Sequence, residues 1–202
     1  SAFLRTDDAP LFETRWRLVD APPEPSPRTE SSEQWTAIEI DANGRVQTPE
    51  ASCGSWLVTV ADDLDVAHAA DAIVSATRIA ARATAAEIER VVFLTSGAVS
   101  VAEGDPVNPA AAAIWGFARA WASEDPSRSI LRVDGCGVSA DDALALGESE
   151  LALRDGRWFV PRLVESRARP APPSDYQLVI TERGALDQVA LVERPASDPA
   201  PG

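Results

Sequence analysis

The residues best placed by type and spacing to do chemistry are Gly135-Cys136-Gly137-Val138-Ser139-Ala140, which satisfy G-x-G-x-x-A directly after an apolar strand candidate, Ser129 to Val133. A dinucleotide loop of that pattern works by presenting backbone amides at a helix N-terminus to a pyrophosphate. Here Asp134, Asp141 and Asp142 surround the glycines, so a phosphate would meet carboxylates. The helix that follows is short, and the chain then turns into a hairpin rather than a parallel strand ending in a ribose-binding acid. The spacing reads as a glycine-rich turn with Ser139 as a helix cap.

A second group is the hydroxyl pair of Thr95-Ser96-Gly97 at the end of another strand candidate. A short-chain reductase needs a serine, a tyrosine as proton donor, and a lysine that lowers the tyrosine's pKa and holds the ribose. The sequence has no lysine, and its sole tyrosine, Tyr176, lies beyond a proline-rich boundary. As a nucleophile Ser96 would need a base, yet the sole histidine, His68, falls within an alanine-rich helical stretch and reads as a solvated surface residue. The carboxylate doublets Asp62-Asp63 and Asp141-Asp142 sit at predicted helix starts, where capping and the helix dipole explain them. Cys53 and Cys136 are far apart, with no C-x-x-C pair and no neighbouring histidine, so neither a metal site nor a disulfide framework is indicated. The reading is of no catalytic, cofactor-binding or metal-binding residue.

The elements that must position these residues centre on Arg90 to Val101. Val91-Val92-Phe93-Leu94 is a continuous apolar run, as in a parallel strand buried on both faces. It stops at Thr95-Ser96-Gly97, and Asn108-Pro109 opens the next helix with a cap and a first-turn proline. Before it, Ser1 to Pro10 reads as linker and Leu11 to Val19 as an alternating strand with Phe12, Thr14, Trp16 and Leu18 on its buried side. Ala21 to Ser32, with four prolines, reads as a flexible crossing. Trp35 to Ile40, closed by Asn43-Gly44, and Trp56 to Val60 are further strands. Asp62 and Asp63 cap a long helix to about Ala83, its packing face drawn through Leu64, Ala67, Ala70 or Asp71, Val74, Thr77 or Arg78 and Ala81. Thr84-Ala85-Ala86-Glu87 reads as a capping box opening one more turn.

Beyond the central strand, Pro109 to Ser123 is a helix with Ile114, Phe117, Ala118 and Trp121 on one face, and Asp141 to Leu146 is a short helix ended by Gly147. Glu150 to Glu165 is an antiparallel pair about Asp155-Gly156 that closes the sheet. Ala168 to Ser174 is proline-rich and marks a boundary, after which Tyr176 to Arg194 offers two short strands around Gly184. Within 202 residues, 45% of them hydrophobic, there is room for one good core and a small appendage. A net charge of -14 argues against nucleic acid or an anionic membrane as partner. The sequence opens with no charged-then-apolar leader and contains no apolar run near the roughly 20 residues a bilayer requires, which points to the cytoplasm.

Taken together, several stretches resemble a family. Ala111-Ala112-Ala113-Ile114-Trp115-Gly116-Phe117-Ala118-Arg119 with Glu124-Asp125-Pro126 is similar to a helix of the ketoreductase regions of modular type I polyketide synthases. In the same order come Leu94 to Val99, Leu131-Arg132-Val133-Asp134, Glu150 to Gly156 and Val160-Pro161-Arg162-Leu163, and the opening Leu11 to Trp16 is similar to that family's first strand. The resemblance covers most of Leu11 to Arg167 and is to the first, structural half of the ketoreductase. It implies a truncated Rossmann-like subdomain that binds no cofactor and braces the catalytic half, so no catalytic residue carries over. Tyr176 to Thr181 with Gly184 to Leu191 resembles the opening of a polyketide synthase enoylreductase. The implied parent is an actinobacterial multienzyme of the mycobacterial mycocerosic acid synthase kind, with NADPH and phosphopantetheine used elsewhere in it.

The expected fold is therefore α/β: a truncated Rossmann-like domain at 11–167, its sheet mostly parallel with helices on its flanks and an antiparallel closing hairpin. A linker follows at 168–175 and the first enoylreductase strands at 176–202. Because Trp35 to Ser55 is short for a full β-α-β unit, a smaller sheet than the family's is expected. The expected partners are the catalytic ketoreductase half and the enoylreductase, with no small-molecule ligand on the chain itself.

Overall fold

The computed structural model describes residues 12–20, 35–47 and 54–165, together with the backbone of 176–180 and 189–193. The chain divides into two compact units, one spanning Thr14–Val164 and the other formed by Ser1–Glu13 with Glu165–Gly202. In the larger unit the strands are β1 (Phe12–Val19, its first two residues across the division), β2 (Trp35–Ile40), β3 (Ser55–Val60), β4 (Arg90–Thr95), β5 (Ser129–Asp134), β6 (Glu150–Arg154) and β7 (Arg157–Glu165, its last residue across the division). Its helices are α1 (Ala69–Ala85), α2 (Pro109–Glu124) and α3 (Ala140–Ala145). The strands form one seven-stranded sheet in the order β1-β7-β6-β5-β4-β3-β2. Neighbours from β2 to β6 pair in parallel, and β6 meets β7 antiparallel.

A mostly parallel sheet needs cover on both faces, because side chains alternate along each strand. Val91 and Phe93 of β4 pack with Ala76 and Ile79 of α1 and with Ile114 and Ala118 of α2. Val92, between them, joins Leu131, Val133 and Leu151 on the opposite face, under Ala140 and Ala143 of α3. Phe93 is fully buried and meets Trp121 edge-on, with ring centroids 6.2 Å apart. The α/β, Rossmann-like reading holds. The short segment after Trp35 supplies the two expected strands, β2 and β3, which pair in parallel in residue-by-residue register from Trp35–Ser55 to Ile40–Val60.

Several local expectations need correction. Asp62 and Asp63 lie in a turn; the cap is Asp65, whose carboxylate accepts the Ala67 amide at 2.8 Å and opens a 3-10 turn, Val66–His68, ahead of α1. That turn moves the start of α1 and with it the buried face, which runs through Ala72, Ser75, Ala76, Ile79 and Ala83 while Val74 is exposed. Alanine on every side left the phase of this helix unmarked in the sequence. Thr84 to Glu87 opens no new turn: α1 ends at Ala85 and Glu87 takes a positive φ of 53°. In β1 only Trp16 of the expected buried side is half-covered, and Leu18 is exposed, because β1 is the sheet's edge and the hairpin lies inside it.

Other signals were read correctly. Asn108 caps α2, accepting the amides of Ala110 and Ala111 while its own amide nitrogen donates to the Leu64 carbonyl. The Asp155-Gly156 turn has positive φ at both residues, as its two-residue hairpin requires. Gly44 is required by its neighbours: a Cβ there would lie 2.6 Å from both the Ala72 nitrogen and the His68 oxygen. Ser75 clamps the same turn by donating to the Gly44 carbonyl at 2.7 Å. The second unit contains β8 (Tyr176–Ile180) and β9 (Val189–Glu193), paired antiparallel. Cys53, Gly184 and the linkers at 1–10 and 168–175 lie outside the described residues.

Surface carboxylates contribute to the acid limb of stability. Asp125 is held below the usual 3.8 by the hydroxyl of Ser127 and then by Arg128; Glu148 is held below the usual 4.5 by Arg162. A carboxylate depressed in the folded state contributes its stability above the unfolded-state value and loses it as pH falls through the folded one. Melting temperature should therefore be flat from neutral pH down to about 5 and fall progressively below about 4.5. A scan of melting temperature against pH checks this, and constant stability through pH 3 would contradict it.

Candidate functional site

In a doubly wound sheet, ligands bind beyond the carboxyl ends of the strands. Here that end is built around Asp134, the last residue of β5, which is 0% exposed. One carboxylate oxygen accepts the Thr95 hydroxyl at 2.8 Å and the Ala98 amide at 2.7 Å. The other accepts the Val99 amide at 3.4 Å and pairs with the Arg154 guanidinium at 2.5 Å. Arg154, at the end of β6, also donates to the carbonyls of Asp134, Leu153 and Val99. Asp105 completes the arrangement from the next loop: it accepts the amides of Val101 and Ala102, with the Arg154 Nε 3.9 Å away. Those two backbone bonds, of which the one from Ala102 is the larger influence, hold its carboxyl below the ordinary 3.8.

In the sequence Asp134 is one of three carboxylates around the glycine-rich loop. The structure turns it inward, where it ties the end of β4 to the hairpin. The signal that missed it was Arg154, twenty positions on and unremarkable until β6 is laid beside β5. Asp141 is likewise engaged, accepting the indole N–H of Trp35 at 3.0 Å, and Asp142 is exposed.

The glycines of the G-x-G-x-x-A stretch have separate explanations. A Cβ on Gly135 would lie 2.8 Å from the Leu153 Cβ and 2.9 Å from its carbonyl oxygen, so this glycine lets β6 approach closely. Its amide is spent on the Thr95 carbonyl at 2.8 Å. Gly137 adopts a φ of 69° with open space around it, a turn requirement only. Ser139 precedes α3 with extended backbone, but its side chain makes no capping bond, contrary to expectation. The six-residue α3 carries Asp141 and Asp142 in its first turn.

The remaining candidates are dispersed. Ser96 Oγ lies 3.4 Å from Cys136 Sγ at the mouth of the same strand ends, and Cys136 is an exposed free thiol. His68 sits at the junction of the 3-10 turn and α1, not inside the helix, with Nδ1 3.8 Å from Asp71. Tyr176 is on β8, in the other compact unit. Among the described residues no group of three or more His, Cys, Asp or Glu side chains could hold a metal ion, and no helix is long and apolar enough to cross a membrane. At this end of the sheet one buried carboxylate, that of Asp134, ties two loops and a hairpin together.

A parallel sheet with an antiparallel hairpin, helices on both faces and polar groups tied to one another at the strand ends defines a Rossmann-fold domain. The chain belongs to the Rossmann-fold domain family of the polyketide synthase extender module SpnB, whose model matches residues 14–163. It is 38% identical over 125 residues to the spectinabilin polyketide synthase system protein NorB of Streptomyces orinoci, covering 56% of the chain and 6% of that protein. It is 42% identical over 103 residues to polyketide synthase GfsB of Streptomyces halstedii, covering 46% of the chain and 2% of that protein. Mycoketide-CoA synthase of Mycobacterium tuberculosis is 32% identical over 117 residues, covering 54% of the chain and 3% of that protein. The chain thus spans only a few per cent of the length of these relatives. Among solved structures, a ketoreductase from the first module of phoslactomycin biosynthesis in Streptomyces sp. HK803 superposes with a TM-score of 0.51 at 22% identity. That match covers 82% of the chain and 39% of the ketoreductase, and the likeness is one of fold.

Proposed function

We propose that Thr14–Val164 is the non-catalytic, structural half of a ketoreductase in a type I polyketide synthase, a pseudo-ketoreductase subdomain that braces the catalytic half and an adjacent enoylreductase. The observation that carries this reading is the end of β5. The Gly135 amide that a phosphate would need there is spent on the Thr95 carbonyl, and the Asp134 carboxylate beside it is held by Thr95, Ala98 and Arg154. With no lysine in the sequence, the tyrosine–lysine dyad of a short-chain reductase lacks its second member.

In this reading the domain contributes shape: it orients its neighbours around a tethered acyl chain, while NADPH and phosphopantetheine act elsewhere in the parent. The paired strands β8 and β9 are the start of the enoylreductase, a placement supported by motif order at Tyr176 to Leu191. The parent is actinobacterial and works in the cytoplasm. The narrower kinship, with synthases of the mycobacterial mycocerosic acid kind, draws on the mycobacterial relative.

Titration of the chain with NADPH, followed by calorimetry, should show no binding up to millimolar cofactor. A micromolar dissociation constant would sink the proposal. Gly137→Asp separates the readings a second way. Because only a left-handed φ opposes it, the substitution should cost about 1 kcal/mol or less, a drop of roughly 2–4 °C in melting temperature. A nucleotide-dependent reductase using the Gly135–Ala140 loop would instead lose its activity outright.

A further inference from the structure

At the opposite end of the sheet from Asp134, where β4, β5 and β6 begin, Arg90, Arg119, Arg128, Arg132 and Glu150 line a cleft of about 970 Å³. Four arginines converging on one cleft stand out in a chain of net charge -14. Two of the ion pairs about the cleft are balanced one to one: Arg128 with Asp125 at 3.0 Å, and Arg162 with Glu148. Asp141, also on the rim, accepts the Trp35 indole N–H, a neutral donor that leaves its negative charge in place.

Arg119 and Arg132 share a single carboxylate. Glu150 receives the fork of Arg119, Nε to Oε1 at 2.7 Å and Nη2 to Oε2 at 2.5 Å, and lies 3.2 Å from Arg132 Nη2. Arg132, whose side chain is 4% exposed, gives Nη1 to the carbonyls of Ala118 and Ile130 and has an Nε with no partner. Burial pulls its pKa down, against Glu150, with Arg119 adding to the downward pull, yet a guanidinium stays charged at neutral pH. Within the triad two cations share one carboxylate, an excess of one positive charge carried between the buried Arg132 and the exposed Arg119. The Arg119 side chain, 56% exposed on α2, is the member that can reach outward.

We propose that this cleft is a docking point for an acidic segment of another domain of the same synthase, an aspartate or glutamate of which engages Arg119 and neutralises the Arg119–Glu150–Arg132 triad. A guanidinium fork matches a carboxylate's planar geometry, and a carboxylate is the charge the triad lacks. The chain spans a few per cent of its relatives' length, and in the reading proposed above it is one domain of such a multienzyme, so the partner is placed on the same polypeptide. The proposal rests on the reading of the chain as one domain of a multienzyme, but not on whether it binds NADPH.

Because the chain has no lysine, Arg119→Lys places its sole side-chain amine at the cleft. Carbodiimide then joins an amine to a carboxylate in direct contact, and peptide mass spectrometry reads the junction. In the chain alone the expected junction is position 119 to Glu150. In the full synthase carrying the same substitution, a second junction is expected from position 119 to one Asp or Glu outside residues 1–202. Arg162→Lys, paired with Glu148 but outside the cleft's lining, should couple to Glu148 without external capture. Coupling to Glu150 alone in the full synthase would overturn the proposal, as would equal external capture at position 162. Suppression of coupling by inorganic phosphate with no external junction would also overturn it, in favour of a small-anion site. Tight NADPH binding with the external junction intact would sink the bracing role and leave the docking cleft standing.

Discussion

Asp134→Ala should destabilise the domain by about 3 kcal/mol or more, the cost of removing one partner of a buried ion pair. The carboxylate is fully buried, and its loss strands the Thr95 hydroxyl, the Ala98 amide and the inner face of Arg154 together. Arg154 is partly exposed, so water can recover some of its charge, which sets the estimate at the lower end of the range for buried pairs. Denaturant unfolding gives the number. Asp134→Asn, which keeps an acceptor for Thr95 and Ala98 but drops the charge, should fall between the two. Pairing Asp134→Leu with Arg154→Met should recover part of the loss, since a buried pair replaced by apolar groups leaves no orphan charge. A loss under about 1 kcal/mol for the alanine variant would mean that the loops after β4 and the β6–β7 hairpin are held by something else.

Phe93→Ala should cost about 4 kcal/mol, within the range seen when a large buried aromatic is truncated. Phe93 lies mid-strand on β4, flanked by Val58 of β3 and Arg132 of β5, under α1 and α2, so the sheet leaves little room to collapse into the void. It also loses the edge-on contact with Trp121. Phe93→Leu should cost much less, about 1 kcal/mol, because most of the volume remains. Against a total stability of about 5–15 kcal/mol, the alanine variant should melt far below the parent domain. A melting temperature within a few degrees of the parent's would place the centre of the core elsewhere.

These two residues also divide what was legible in the sequence from what was not. Phe93 announces itself: an apolar run of four bounded by a polar turn has one good home, a strand covered on both faces. The Asn108-Pro109 helix start and the Asp155-Gly156 hairpin were equally readable, because a cap, a proline ring and a left-handed turn act within a few residues of themselves. α1 was readable as a helix but not in phase, since alanine packs on any side and a 3-10 turn moved its start.

Asp134 was visible as an acid beside glycines, and its surroundings were misread. Its partners come from β4, the following loop and β6, positions up to 39 residues away that meet only once the strands are in register. The Arg119–Glu150–Arg132 triad is of the same kind, joining a helix to the second and third of three neighbouring strands. The sequence alone therefore determined the order and type of the elements, the missing lysine and the single tyrosine, all local or compositional properties. Tertiary structure decided which charges are buried and paired, because a strand-to-strand contact carries no periodic mark along the chain and exists only through the sheet that assembles it.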